Sequence, residues 1–343
     1  MADNESGPLF HFELLFELNG MKQNPHSNVS EETSSRLRIV EWQRRAAVLG
    51  RPKLPCLAPY HTLNLTAGCP NECRYCYAQS YDHHPGWGTV AFYSNMAARL
   101  KEEFPRMREK PSMVYFSTAS EPLLPVNRIL DDMFEIMEFL LARGVPLLIS
   151  TKGIVQPRFA ELFGRYRRMV HVQVGITTVD DSIRATIEPR ATTVEERLAN
   201  CETLLGHGVN VEARLDPLLP GLTDDLSGFD ALFSALARRG VRRAVASYMF
   251  LRWRIKTPES VKWGDWNFRE MRKMYTHKVT NYCGGGTIRM PSTDYRQQRY
   301  VDLVEIAHCH GINVKLCGCK NADITTDCCH PTPQPQATQL RFL

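Results

Sequence analysis

Three cysteines at CxxxCxxC spacing stand in the segment Gly68-Cys69-Pro70-Asn71-Glu72-Cys73-Arg74-Tyr75-Cys76-Tyr77. One loop with that spacing can present three thiolates to one face of a cubane. Cysteine thiolates hold iron–sulfur clusters, and [4Fe–4S] normally takes four of them. Three protein ligands leave one iron open, and an open coordination site separates a catalytic metal centre from a sealed structural one. Two plainer readings stand beside this: a zinc site short of its fourth ligand, and three reduced thiols in a loop. A second group, Cys317-Gly318-Cys319 followed by Cys328-Cys329-His330, lies near the other end. A CxC puts two thiols on one side of an extended chain, and Gly318 permits a sharp bend. This group can ligate a second iron–sulfur cluster. It can bind structural zinc, for which three cysteines and a histidine, or four cysteines, are a complete set. It can also supply reactive thiols to a nearby site, or be no more than reduced cysteines. Cys56, Cys201, Cys283 and Cys309 are isolated and read as small buried hydrophobes.

Eleven cysteines are an odd count, which argues against a simple disulfide framework. The first twenty residues, MADNESGPLFHFELLFELNG, have no basic region and carry Glu13 and Glu17 within the apolar stretch. They do not read as a signal peptide, so a cytoplasmic location with reduced thiols is expected. With 343 residues, 43% apolar and 23% charged, the chain reads as a globular enzyme. No apolar run approaches the roughly 18 residues of a membrane-spanning helix. A net charge of +5 does not demand nucleic acid. The short basic groups (Arg165, Arg167 and Arg168; Arg238, Arg239, Arg242 and Arg243; Arg252 and Arg254) read as solvated faces.

The elements that must position these residues alternate. Strands are expected at His61–Thr66, Met113–Thr118, Val145–Ser150, Val170–Ile176, Asn210–Leu215, Arg243–Met249 and Ile312–Leu316. Helices are expected at Ser94–Phe104, Asn127–Arg143, Pro157–Tyr166, Val194–Gly206, Asp224–Arg239 and Tyr295–His310, with Gly144, Gly208 and Gly240 as stops. Repeated βα units imply parallel strands with right-handed crossovers, and chemistry gathered at the strand C-termini. The class is α/β, a partial (β/α)6-type barrel over residues 59–316. It is flanked by an N-terminal extension, 1–58, and a Cys-rich tail, 317–343. Within the extension, Glu31–Arg51 reads as a surface helix.

The triplet, its preceding strand and the βα units resemble the radical SAM superfamily. The stretches TLNLTAGCPNECRYCYAQ, VYFSTASEP, LISTKG, VQVGITTVDDSIRATIEPRATTVEERL and VEARLDPLLPGL, from about His61 to Gly221, are similar to its spore photoproduct lyase-like branch. The resemblance implies a [4Fe–4S] cluster on Cys69, Cys73 and Cys76. It also implies S-adenosylmethionine on the open iron, a small organic substrate and a flavodoxin- or ferredoxin-type electron donor. Tyr75 matches the position whose backbone lies against adenine. Ser120 and Lys152 match residues that meet the amino acid end of S-adenosylmethionine, and Thr177 or Thr178 could join them. Arg214 could face the cofactor or pair with a substrate anion, and a structural pair with Asp216 is an equal alternative. In the lyase proper a hydrogen-donating cysteine precedes the Ser-acid pair; here Ala119 precedes Ser120-Glu121, and alanine has no transferable hydrogen. Lesion repair is therefore disfavoured. A radical SAM enzyme acting on a sugar or nucleoside-like metabolite, of lyase type, is expected first, and nucleic-acid modification second. A non-catalytic iron–sulfur or zinc protein comes third. Weaker features are His83-His84, Gly284-Gly285-Gly286 and the aromatic, basic run Phe250–Trp266, which reads as a lid.

Overall fold

The computed structural model describes residues 14–15, 37–52, 57–252, 262–263, 266–282, 286–328 and 330–331. Cys56, Cys283, Cys329, Gly284, Gly285 and residues 253–261 and 264–265 of the expected lid lie outside them. Seven strands form one sheet: β1 His61–Leu63, β2 Val114–Phe116, β3 Leu147–Thr151, β4 Val170–Gly175, β5 Asn210–Leu218, β6 Arg243–Tyr248 and β7 Asn313–Leu316. They lie in chain order, every neighbour paired parallel, with β1 and β7 at the two edges. This is the expected partial barrel, with seven strands.

Side chains alternate across a strand with a period of two. Val114, Phe116, Leu147, Ile149, Val172, Val174, Val211, Ala213, Ala244 and Ala246 face outward into the main apolar core beneath the helices. The residues between them, among them Tyr115, Ser150, Gln173 and Arg214, face inward and line a cavity. One apolar alternation therefore both fastens the helices and aims the polar set.

The helices are α1 Met96–Arg106, α2 Asn127–Leu141, α3 Pro157–Arg165, α4 Asp181–Ile187, α5 Val194–Gly206, α6 Leu226–Arg238, α7 Phe268–Lys273 and α8 Thr293–Cys309. Proline opens α3, where a missing N–H costs nothing. Thr193 and Glu196 close a reciprocal capping box on α5. The short helices α4 and α7 were not expected, nor was an antiparallel pair, His277–Tyr282 with Gly286–Met290.

The surface helix expected over 31–51 is absent among the described residues. Arg38–Trp42 is instead a strand, parallel to Thr89–Tyr93, which pairs antiparallel with Thr66–Ala67. Ile39, Val40 and Trp42 suit a pleated, half-buried surface, and Trp42 meets Tyr93 edge-on at 5.9 Å. Pairing across some fifty residues outweighed the local helical pattern. The resulting sheet supports Thr66 and Ala67 directly before the cysteine loop.

Candidate active site

The cysteine loop leaves Ala67 through Gly68, whose φ is +77°. A Cβ there would stand 2.5 Å from the Thr89 carbonyl oxygen, so only glycine fits. Glu72 also takes a left-handed φ of 48°. Its carboxylate accepts from the Gly88 N–H at 2.9 Å and pairs with Arg190 at 3.1 Å, which pins the turn between the first two cysteines. The Cys76 N–H donates to the Cys73 carbonyl at 3.0 Å, and a short 3-10 helix, Tyr77–Ser80, follows. Burial pushes all three thiols up: Cys69 well above its ordinary value, Cys73 to about 12, and Cys76 upward. They hold their protons until a metal displaces them.

All three thiols line a cavity of about 880 Å³, a volume typical of small-ligand sites. Its wall includes the strand C-termini: Ser117–Glu121 after β2, Ser150, Thr151 and Lys152 at the end of β3, Gly175 on β4, Arg214, Asp216 and Pro217 on β5, Met249 and Phe250 after β6, and Cys317, Cys319 and Lys320 after β7. Two buried hydroxyls on this wall, Ser117 Oγ and Ser120 Oγ, have no hydrogen-bond partner among the described residues. Buried polar groups are normally satisfied, so an orphaned pair suits a polar ligand. Three thiols on one loop, the orphaned hydroxyls, a lysine and ample volume together fit a cluster with a polar cofactor. Among the described residues no three His, Cys, Asp or Glu groups converge on a single ion.

Behind the cavity sits a charge network that the sequence did not reveal. Glu188 is fully buried and Arg197 is 1% exposed. Their side chains approach to 2.5 Å, Lys152 Nζ stands 3.9 Å from Glu188, and the Tyr75 hydroxyl donates to Glu188. Arg197 also donates to the Gly175 carbonyl at 2.9 Å. Burial alone would raise the Glu188 carboxyl, but Arg197 and Lys152 outweigh it and hold it below the usual value. The network fixes Lys152 beneath the Tyr75 ring, 5.9 Å from its centroid. Glu121, also buried, accepts from the Leu123 N–H at 3.0 Å, the Lys152 N–H at 2.9 Å and the Thr151 hydroxyl. It thereby ties the β2 loop to the end of β3.

On the far wall, Arg214 donates to Gln173 Oε1 at 2.8 Å and to Asp216 at 2.6 Å. Lys320 donates to both Asp216 oxygens at 2.7 Å. Burial would raise Asp216, and the two cations hold it low instead. Cys317 and Cys319 line the same cavity, their sulfurs 3.1 Å apart. At the rim, the Arg252 guanidinium lies 5.7 to 5.8 Å from the rings of Tyr77, Tyr81 and Phe250, so this arginine is not the solvated charge expected.

The cavity therefore gathers Cys69, Cys73, Cys76, Tyr75, Ser120, Lys152, Arg214, Cys317 and Cys319. Thr177 is buried but is not on its wall, and the Thr178 hydroxyl accepts from the Asp180 N–H at 3.0 Å in the turn before α4. Cys328 is exposed and off the cavity, while His330 is buried and on it. Ala119 lines the wall, and its N–H donates to Asn64 at 2.9 Å. Cys201 is buried as expected, and burial pushes its thiol up to about 12. Cys309 is exposed instead, because it ends α8 beyond the last buried residue of that helix. Glu188, Arg197 and Lys320 were missed, since a charged residue in sequence looks the same on a surface or in a core.

Residues 63–227 match the family model of the radical SAM superfamily. An uncharacterized protein of Mycobacterium tuberculosis is 28% identical over 210 residues, covering 59% of this chain and 62% of that protein. The chain thus spans less than two thirds of the mycobacterial relatives it matches. An uncharacterized protein of Acidianus two-tailed virus is 24% identical over 240 residues, covering 64% of this chain and 79% of that protein. A spore photoproduct lyase complexed with dinucleoside spore photoproduct superposes with a TM-score of 0.64 at 15% identity, over 81% of this chain and 82% of that one. At that identity the likeness is one of fold. No described helix is long and apolar enough to cross a membrane.

Proposed function

We propose that this member of the radical SAM superfamily cleaves S-adenosylmethionine reductively and abstracts hydrogen from a small organic substrate. The substrate class we favour is a sugar or nucleoside-like metabolite. The carrying observation is that Cys69, Cys73 and Cys76 share one cavity with Ser120 and Lys152 at the C-termini of a parallel sheet. Cys69, Cys73 and Cys76 would hold the [4Fe–4S] cluster, which with S-adenosylmethionine bound supplies a 5′-deoxyadenosyl radical. Lys152 would neutralise the carboxylate of that cofactor, steadied from behind by Glu188. Ser120 would give its orphaned hydroxyl to the same end. Tyr75, fixed by its bond to Glu188, would pack over the loop and shield it from water. Arg214 and Lys320 bring two cations to one carboxylate, Asp216, and so favour an anionic group on cofactor or substrate.

The test is reconstitution with iron and sulfide, reduction, and assay of 5′-deoxyadenosine. The parent should form it, and Cys73→Ala should lose it together with the cluster. A protein with a full cluster that forms none, or a C73A variant that behaves like the parent, would overturn the reading and leave a non-catalytic iron–sulfur protein.

One observation favours a second reading, modification of nucleic acid. Arg252 among Tyr77, Tyr81 and Phe250 is a stacking surface at the cavity rim, and aromatic and guanidinium faces stack on bases. The structural neighbour bound to a dinucleoside photoproduct agrees with it. DNA affinity that falls steeply with salt would favour this reading; salt-independent, weak binding would favour the metabolite.

A further inference from the structure

Cys317 and Cys319 stand 3.1 Å apart on the cavity wall, on the turn after β7. The turn is firmly built. The Cys317 N–H continues the sheet to the Ala246 carbonyl at 3.1 Å. The Cys317 carbonyl accepts from the Asn321 N–H at 3.0 Å and from its side-chain amide at 2.9 Å. Asn321, fully buried, accepts in turn from Arg296 at 2.8 Å and from the Tyr300 hydroxyl at 3.1 Å. A Cβ on Gly318 would stand 2.5 Å from the Asp327 carbonyl oxygen, so glycine is required between the two thiols. Such anchoring holds both sulfurs toward the cavity at fixed spacing. Ala119, on the same wall after β2, has no transferable hydrogen.

We propose that Cys317 and Cys319 are the hydrogen-atom donor to the substrate radical, a role that rests on the radical reading above. The substrate carbon takes a hydrogen atom from one thiol: an S–H bond breaks, a C–H bond forms, and a thiyl radical remains. The second thiol releases its proton to solvent and shares its electron pair with the thiyl across the short gap, which lowers the energy of the unpaired electron. One electron from a low-potential iron–sulfur or flavin protein, with two protons from solvent, restores both thiols. The sum is one electron and one proton added to the substrate radical, so S-adenosylmethionine is consumed.

Two measurements test this. Without any cofactor, phenylarsine oxide should bridge the two thiols as a one-to-one adduct on the peptide holding Cys317 and Cys319. That adduct should survive Cys328→Ser/Cys329→Ser and vanish in Cys319→Ser. Independent labelling of the two thiols, with no bridged adduct, would overturn the pair. With cluster and S-adenosylmethionine in D2O and no substrate added, the nucleoside radical itself is the carbon-radical probe, because thiols exchange with solvent and carbon-bound hydrogens do not. Most of the parent's 5′-deoxyadenosine should carry one deuterium. In Cys317→Ala/Cys319→Ala the deuterated fraction of whatever is formed should fall at least five-fold. An unchanged fraction, or no deuterium in the parent product, overturns the donor role. Absence of any 5′-deoxyadenosine from the parent would overturn the enzyme reading instead. A reconstituted parent holding a second cluster's worth of iron, lost in C317A, would make the pair metal ligands and sink the proposal.

Discussion

Replacing Arg197 with methionine removes the cation nearest a carboxylate that water cannot reach. Glu188 is 0% and Arg197 1% exposed, so the pair is buried on both sides. Removing one partner of such a pair costs about 3–5 kcal/mol, because the other charge is left unpaired in a poor solvent. The lost bond to the Gly175 carbonyl, 2.9 Å in the parent, adds about 1 kcal/mol. Lys152 and the Tyr75 hydroxyl stay beside Glu188 and offset part of this. We therefore expect R197M to lose about 3–4 kcal/mol near pH 7. The sign with pH follows from Glu188. Its folded value lies below the ordinary one, because Arg197 and Lys152 overcome burial. Its ionised form thus contributes stability above the unfolded carboxylate range, and that contribution is lost as pH falls through the folded value. In R197M burial dominates and the carboxyl keeps its proton more readily, so the deficit of the variant should shrink as pH drops toward about 4. Urea denaturation of the cluster-free protein at several pH values reads both effects. Removing both charges, in E188Q/R197M, should recover at least about 1.5 kcal/mol of the loss. A cost for R197M under about 1 kcal/mol, or a double variant no more stable than the single, would refute the reasoning.

Other perturbations reach different parts of the site. G68A sets a Cβ against the Thr89 carbonyl and Pro85 at positive φ, and should cost at least about 2 kcal/mol; iron content after reconstitution should fall with the melting temperature. Asp323 is held down at about 2, burial being outweighed by its bonds to Arg296 and Thr293. Its contribution is present above the unfolded carboxylate range and lost as pH falls from about 5 toward 2, so D323N should flatten acid unfolding by about 1 kcal/mol after screening; equal acid sensitivity in both proteins would contradict this. A119C placed in the C317A/C319A background should return deuterium to 5′-deoxyadenosine in D2O, since it puts a thiol back on the cavity wall; mass spectrometry of the nucleoside decides.

The barrel was legible because short apolar runs alternate with helical patterns, three of them closed by glycine stops, all of them local patterns. The triplet was legible as a candidate site because its three cysteines fall within eight residues of one loop, and all three line the cavity. Arg38–Trp42 was misread for the opposite reason. Its partner, Thr89–Tyr93, lies some fifty residues away, and nothing within five residues announces a parallel pairing. Glu188 and Arg197 escaped for a related reason: their meaning depends on Lys152 and Tyr75, which come from two other loops. Thr177 shows the converse limit. Sequence placed it correctly at the end of β4, but the direction of one side chain there is set by packing.

The tail shows how an open sheet can still enclose a reaction. β1 and β7 are the two edges of the barrel sheet and do not pair with each other, so the barrel wall has a seam. The chain leaving β7 places Cys317 and Cys319 on the cavity wall and sends Lys320 to Asp216 on β5. It then returns to the other edge, where the Tyr60 hydroxyl donates to the Pro331 carbonyl. His330 packs against the rings of Tyr60 and Tyr115, with centroids 6.2 and 5.2 Å away. The same short segment therefore spans from the last strand to the first two and contributes wall at both ends. A partial barrel gains room from its seam, since a closed ring of strands fills with its own side chains. The tail recovers enclosure on that side, so the residues that widen the cavity and those that wall it off are separate parts of one chain.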